Sequence, residues 1–381
     1  MKQIEAVSNP ELFAEVGYIG KIPVRNIWLL MLYASDLYRY LNYDTHSGVE
    51  ENPDDIPNLV AEILTKHVEH RIMRNLTFSY QSRSAVLNRV RGRINVLDTT
   101  RYGLVKRGKV SCGYEELTVN TPRNRFVRFA LDKLSRIVNR KELRSKCRKL
   151  SSTFLTMGVS GEKPSLKDIS SEQYGRNDVQ DRKMVSAARL VFELALLTEE
   201  SGMYYSSMPA RDEGWFRKLY EKAVAGFYDV VLPKPDWQVE AGRFLSWQIE
   251  AKTSGVNGIL PSMCTDIILE NRQKKRRIVI DTKFNSILTK GWYRDYSLRN
   301  SYLYQIYAYL RSQEGTENEL NDKSAGLLLH PSVGEMIDEA VIIQGHEIRF
   351  ATVDLAAEAK TIRKQLLKVV DIDLNNEEFD L

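Results

Sequence analysis

The sequence predicts an α/β protein in two parts, a mixed α/β half over residues 1–200 and a second α/β domain over residues 201–381. Three observations predict it. A length of 381 residues with 43% hydrophobic and 28% charged residues supports a core in each of two domains. The hydrophobic period switches repeatedly between helical and strand-like spacing. The second half also runs in the order helix, strands, helix, strand, which is an α/β pattern.

Taken in order, residues 1–20 lack a period and read as an arm. Ile22-Pro23-Val24-Arg25-Asn26 opens an apolar, aromatic run that reads as a helix through Tyr40. Its core, Ile27 to Ala34, is far too short to cross a bilayer, so no membrane contact is expected. Residues 42–57 are acidic and rich in turn formers, hence a loop. Residues 56–76 return to helical spacing through Leu59, Ile63, Leu64, His67 and Ile72. From Thr77 to Val119 short strand-like pieces are broken by Gly92, Gly103, Gly108 and Gly113. Thr121-Pro122 then caps a helix to about Arg140. Residues 151–178 read as loop and 181–197 as a helix.

The polar stretch 199–214 is the expected domain boundary. Beyond it a helix over 215–231 precedes strand-like pieces at 238–240 and 246–251. Two strands follow at 264–270 and 276–283, then a helix at 296–312. Strands at 325–330 and 340–343 lead to a last helix at 356–369.

Charge is uneven. Residues 71–150 hold 21 Lys and Arg against 5 Asp and Glu, a net +16 within a chain of +5, which leaves −11 for the rest. Such a block suits a polyanion, nucleic acid first, and suits equally well a solvated basic surface. Three well-separated cysteines, Cys112, Cys147 and Cys264, form no C-x-x-C pair, so a structural zinc or disulfide framework is not expected and a reducing cytoplasm is. No G-x-x-x-x-G-K-[ST] is present, so the chain itself is expected to bind no nucleotide. His67 and His70 are the one metal-spaced pair and lack a third ligand; no G-x-S-x-G elbow occurs.

The chemistry concentrates between residues 265 and 283. Thr265-Asp266-Ile267-Ile268-Leu269 and Ile278-Val279-Ile280-Asp281-Thr282-Lys283 flank a basic turn and read as a hairpin. Period 2 puts Asp281 and Lys283 on one face, and antiparallel pairing brings Asp266 and Asp281 to one edge. Two carboxylates with the main-chain carbonyl of Thr282 would hold a hard cation, Mg²⁺ or Mn²⁺. Lys283 would orient or deprotonate a water and offset charge on a phosphate. The bland alternative is a surface ion pair at a strand end; the apolar run before Asp281 argues against it. Gln305 and Tyr309, at i and i+4 of the next helix, share a face that would pack over this edge, or simply over the core. Glu221 would supply a third acidic ligand, or pair with Lys218 or Lys222 on an exposed helix face.

At these residues the sequence resembles the PD-(D/E)XK nuclease superfamily, in the branch with a Q-x-x-x-Y helix motif. With the first half included it resembles the McrC family, nuclease subunits of McrBC modification-dependent restriction systems. The resemblance rests on Ile22-Pro23-Val24-Arg25-Asn26-Ile27, Arg91-Gly92-Arg93-Ile94, Asn124-Arg125, Leu219-Tyr220-Glu221-Lys222 and Gly326-Leu327-Leu328, in that order. It implies a C-terminal restriction-endonuclease-like domain over 201–381 with Asp266, Asp281, Lys283, Gln305 and Tyr309 at its site. It implies an N-terminal domain over 1–200 that docks in a McrB-like AAA+ GTPase hexamer and stimulates it, with double-stranded DNA as substrate. Two other classes stand beside this one: a non-catalytic adaptor that stimulates the GTPase, and a stand-alone DNA repair nuclease.

Overall fold

The computed structural model describes residues 18–19, 22–41, 55–172, 174–175, 178–203, 213–290, 296–334 and 336–371. Most of the expected arm and acidic loop, and the middle of the expected polar boundary, lie outside the described residues.

Strands β1 (Tyr18–Ile19) and β2 (Ile22–Pro23) pair antiparallel and lead into helix α1 (Val24–Tyr33). Nearly the whole of α1 from Asn26 onward is buried, as an apolar sequence without a polar face requires. The helix stops at Tyr33 instead of reaching Tyr40. Ser35 Oγ donates to the Leu32 carbonyl (2.7 Å), offering the backbone another partner, and a 3₁₀ turn at Tyr38–Tyr40 follows.

Two compact units emerge, 57–195 and a discontinuous one of 1–56 with 196–381. The second crossing is close to the expected junction near 200, while the segment 1–56 groups with 196–381 and not with the residues that follow it.

Among the described residues, the unit 57–195 contains α2 (Ile56–Met73), a three-stranded antiparallel sheet, and five further α-helices, one within the sheet and four after it. The sheet runs β3-β5-β4, from β3 (Ser79–Leu87), β4 (Arg93–Ile94) and β5 (Val110–Thr118), with the short α3 (Val96–Arg101) between the last two. Helix α4 (Pro122–Ile137) starts where Thr121 Oγ1 accepts the Asn124 N–H at 3.1 Å, as the Thr-Pro pair predicts. Helices α5 (Lys141–Thr156), α6 (Leu166–Ser170) and α7 (Val179–Met203) follow. Part of the basic block turns inward. Arg123, 4% exposed, donates to Asp181 (2.8 Å) and Glu172 (3.2 Å), and Arg71 reaches the same Asp181 at 2.9 Å.

In the other unit, helix α8 (Glu213–Val231) packs on a six-stranded mixed sheet of order β12-β13-β11-β8-β7-β6. Strands β6 (Trp237–Leu245), β7 (Met263–Asn271) and β8 (Arg276–Thr282) are antiparallel. A small hairpin, β9 (Leu288–Lys290) and β10 (Tyr296–Leu298), leads to α9 (Asn300–Arg311). Strand β11 (Ala325–Ser332) lies parallel to β8 and to β13 (His346–Asp354), with β12 (Asp338–Ile343) antiparallel at the edge and α10 (Ala359–Asp371) last. One strand, β6, replaces the two pieces expected at 238–240 and 246–251. Past Leu245 the chain leaves the ladder, and Trp247 Nε1 donates to the Pro261 carbonyl (2.8 Å).

Close backbone approach explains why α1 joins this unit. A Cβ added to Gly226 on α8 would stand 2.1 Å from the Tyr33 carbonyl oxygen, so only glycine admits the contact. Asn26 Nδ2 donates to the carbonyls of Leu355 (2.7 Å) and Ala357 (2.9 Å), fastening α1 to the far end of the sequence. Gly326 on β11 does the same for α9, whose Ile306 side chain would lie 2.8 Å from an added Cβ. No helix among the described residues is long and apolar enough to cross a membrane.

Candidate active site

Strands β7 and β8 are paired through Ile267 opposite Ile280. One residue further, just past the last β7–β8 pair, Asp266 and Asp281 come to the same edge, as the hairpin reading requires. Strand β8 is buried from Arg277 to Thr282 because its apolar residues fill both faces of a central strand. Asp281 is therefore carried inside and is 1% exposed. Burial pushes its carboxyl up to about 6; the Lys283 ammonium pulls the other way and the Asp266 carboxylate adds to the rise.

Asp266 Oδ2 accepts both the N–H and the hydroxyl of Thr282, each at 2.7 Å. Lys283 shares a face with Asp281, and its Nζ lies 2.6 Å from Asp281 Oδ2. The contact is an ion pair with a buried carboxylate. The Lys283 N–H donates to the Leu329 carbonyl (3.0 Å), extending the β8–β11 pairing and fixing where the side chain emerges.

Helix α9 supplies the rest. Lys283 Nζ donates to Gln305 Oε1 (3.1 Å), Gln305 Nε2 donates to the Tyr309 oxygen (2.7 Å), and Tyr309 OH donates to the Cys264 carbonyl (2.9 Å). Burial raises the Tyr309 hydroxyl above its ordinary range, so it stays a donor. The i, i+4 spacing thus builds a chain of bonds from the ammonium back to β7.

The structure brings Asp266, Asp281, Thr282, Lys283, Gln305 and Tyr309 together. Glu221 is close enough on α8 that, after burial, the charge of Asp266 is the next cause raising its carboxyl. It does not complete a three-carboxylate cage, however: among the described residues no group of three or more His, Cys, Asp and Glu is placed to hold a metal ion. Glu221 is half-buried on its helix, under the influence of Arg217 and Lys222 as well. What remains, two carboxylates beside a main-chain carbonyl, is a donor set of hard oxygens and fits a cation that keeps several waters and needs one or two carboxylates.

Three residues were not anticipated. The Tyr302 ring lies 4.9 Å from Lys283 Nζ, Asn285 Nδ2 donates to the Tyr302 oxygen (2.6 Å), and the buried His330 bonds the Asn285 carbonyl (2.9 Å). Tyr302 precedes Gln305 by one helical turn, a signal the sequence does carry; nothing local marks Asn285.

The family model described as McrBC 5-methylcytosine restriction system component matches residues 13–331. The chain is 25% identical over 357 residues to the type IV methyl-directed restriction enzyme EcoKMcrBC of Escherichia coli strain K12, covering 92% of this chain and 97% of that protein. Among solved structures, it is similar at 14% identity to a chain of a half-complex from the tetradecameric assembly of Thermococcus gammatolerans McrB AAA+ hexamers with bound McrC. That match covers 90% of this chain and 76% of the other, with a TM-score of 0.41. A second match, to the Thermococcus gammatolerans McrBC complex, covers 49% and 64% at 14% identity and a TM-score of 0.32.

Proposed function

The chain belongs to the family of McrBC 5-methylcytosine restriction system components, and on that premise we propose that it is the DNA-cutting subunit, a metal-dependent endonuclease. The observation that carries the proposal is the meeting of Asp266, Asp281 and Lys283 at one sheet edge, with the lysine amine held by Gln305.

In this reading Asp266, Asp281 and the Thr282 carbonyl would hold Mg²⁺ or Mn²⁺. When bound, such a cation polarises a phosphoryl oxygen and makes a bound water more acidic. The protein's own groups do the positioning. Thr282 fixes one oxygen of Asp266 through two hydrogen bonds, so that carboxylate cannot swing away. Lys283, kept at the edge by Asp281 and Gln305, orients the attacking water and offsets negative charge building on the phosphate. Tyr309 ties the helix to β7 and keeps Gln305 aimed at the amine.

The partner we propose is a McrB-like AAA+ GTPase hexamer, with double-stranded DNA as substrate and the cytoplasm as the place of action. Family membership and the Ile22–Ile27 segment support this. The basic block supports a docking surface in the unit 57–195, since Lys106 and Arg107 are exposed next to the exposed apolar Val105 (68%), and Leu97 (83%) is exposed on α3. The test mixes full chain, a McrB-like AAA+ subunit from the same source, GTP, Mg²⁺ and plasmid carrying 5-methylcytosine. Cleavage that needs every component and stops with a chelator is the expected result. Raised GTP turnover with no cleavage in any divalent metal would instead make the chain an adaptor.

A further inference from the structure

The Lys283 ammonium has Asp281 Oδ2 at 2.6 Å and Gln305 Oε1 at 3.1 Å. Its remaining side meets the ring of Tyr302, 4.9 Å from the ring centre, inside the range at which a π face attracts a cation. Tyr302 sits three residues before Gln305 on α9, so one helix supplies both groups.

The ring is itself held. Its oxygen accepts the Asn285 amide N–H at 2.6 Å, and Asn285 lies two residues beyond Lys283. A carbonyl only accepts, so the 2.9 Å contact between His330 Nδ1 and the Asn285 carbonyl places the proton on Nδ1. His330, 1% exposed, follows Leu329, the residue that accepts the Lys283 N–H. Its ring lies 5.9 Å from that of Tyr302. Phe284, between Lys283 and Asn285, stacks on Phe216 with ring centres 5.5 Å apart. The segment carrying Lys283 is therefore pinned on both sides and closes on one aromatic face.

We propose that Tyr302 is a positioning residue for the Lys283 amine, its ring closing the side that Asp281 and Gln305 leave open, with Asn285 and His330 keeping that ring in place. The inference rests on the nuclease reading of the same site. A lysine on four rotatable bonds has many conformations, and three contacts from different directions leave it one. An ammonium so placed meets the phosphate without first reorganising.

The test compares Tyr302→Leu, Tyr302→Phe and Lys283→Ala in the full chain, assembled with its AAA+ subunit on methylated plasmid with Mg²⁺ and GTP. Tyr302→Leu should slow single-turnover cleavage roughly 3- to 30-fold, the span of a partly desolvated cation–ring contact, with the KM for DNA unchanged. Tyr302→Phe keeps the face and loses only the bond from Asn285, so its rate should lie clearly above that of Tyr302→Leu and below wild type. Tyr302→Leu cutting at the wild-type rate, or Phe as slow as Leu, would overturn the proposal. Undiminished cutting by Lys283→Ala would sink the nuclease reading instead. A second measurement needs no Tyr302 variant. In lysine-labelled wild-type protein the Lys283 ε-methylene protons, identified by their loss in Lys283→Arg, should be displaced upfield by the ring; an undisplaced signal would also overturn it.

Discussion

A single carboxylate oxygen, Asp266 Oδ2, takes two hydrogen bonds of 2.7 Å from Thr282, one from its N–H and one from its hydroxyl. The pair joins β7 to β8 just past their last paired residues and sets the direction of the Asp266 carboxylate. Thr282→Val keeps the shape and the N–H but removes the hydroxyl bond. It should lower the unfolding free energy by about 1.5 to 3 kcal/mol, the usual worth of a bond to a charged acceptor. Urea denaturation measures the loss, and cleavage should fall with it because Asp266 gains freedom. A variant as stable as wild type would mean the N–H alone holds the carboxylate.

Gln305 and Tyr309 act on the amine in series. Gln305→Leu removes the direct contact, whereas Tyr309→Phe removes the anchor to the Cys264 carbonyl. Both should reduce the cleavage rate about ten-fold, with Gln305→Leu the worse and DNA affinity unchanged. Electrophoretic binding and single-turnover cleavage separate the two effects. Weaker DNA binding at an unchanged rate would make this helix face a phosphate contact instead.

His330 gives a pH dependence. Burial lowers its pKa to about 4, against the Asn285 carbonyl, from an ordinary 6.5. Between those values the unfolded chain binds a proton that the folded chain refuses, so stability rises with pH across the window and is lost as pH falls through it. The full effect is at most about 3 kcal/mol. Asp281, raised from 3.8 to about 6, works the opposite way over an overlapping range. The comparison is therefore with His330→Asn, which has no proton to gain. Relative to that variant, wild type should lose thermal stability from pH 6.5 downward, and parallel melting curves would contradict a neutral, buried His330.

The two compact units predict where the chain can be cut. A fragment of 201–381 lacks α1, uncovering the α8 surface at Gly226 and the carbonyls that Asn26 satisfies. It should unfold less cooperatively and at lower denaturant than the full chain, whereas residues 57–195 should fold alone. Circular dichroism of the two fragments decides this. A 201–381 fragment as cooperative as the full chain would show that α1 is an appendage.

The hairpin and its carboxylates were legible because local rules determine them. An apolar strand ending in Asp281-Thr282-Lys283, a charged turn and a matching strand leave one antiparallel register, and register fixes which side chains share an edge. The Gln305–Tyr309 face was legible for the same reason. Strand β13 was not. Its sequence, His346 to Asp354, places Arg349 and Thr352 among buried residues, and those polar groups find partners only in the tertiary structure, Arg349 on Asp338 and Thr352 on Ile337. Helix α5 was hidden too, since its buried stripe of Cys147, Leu150, Ser151 and Phe154 is thin beside its lysines and arginines. The attachment of α1 to the C-terminal unit depends on contacts more than 300 residues apart in sequence, Asn26 with Leu355 and Ala357, which no local pattern announces. Asn285 and His330 join the site through single bonds that span 17 and 45 residues, and no local pattern announces those either.

The most direct measurement is the cleavage rate of Asp281→Asn in the full assembly, taken beside the GTP turnover that the same preparation supports. The substitution keeps the side-chain shape while removing the charge that faces Lys283 and would hold a cation. If Asp281 is part of a hydrolytic site, cleavage should fall at least roughly 100-fold, as losing several kcal/mol of charge stabilisation requires, while GTP turnover stays at the wild-type level. Cleavage at the wild-type rate by the folded variant would contradict the assignment and move the nuclease site elsewhere.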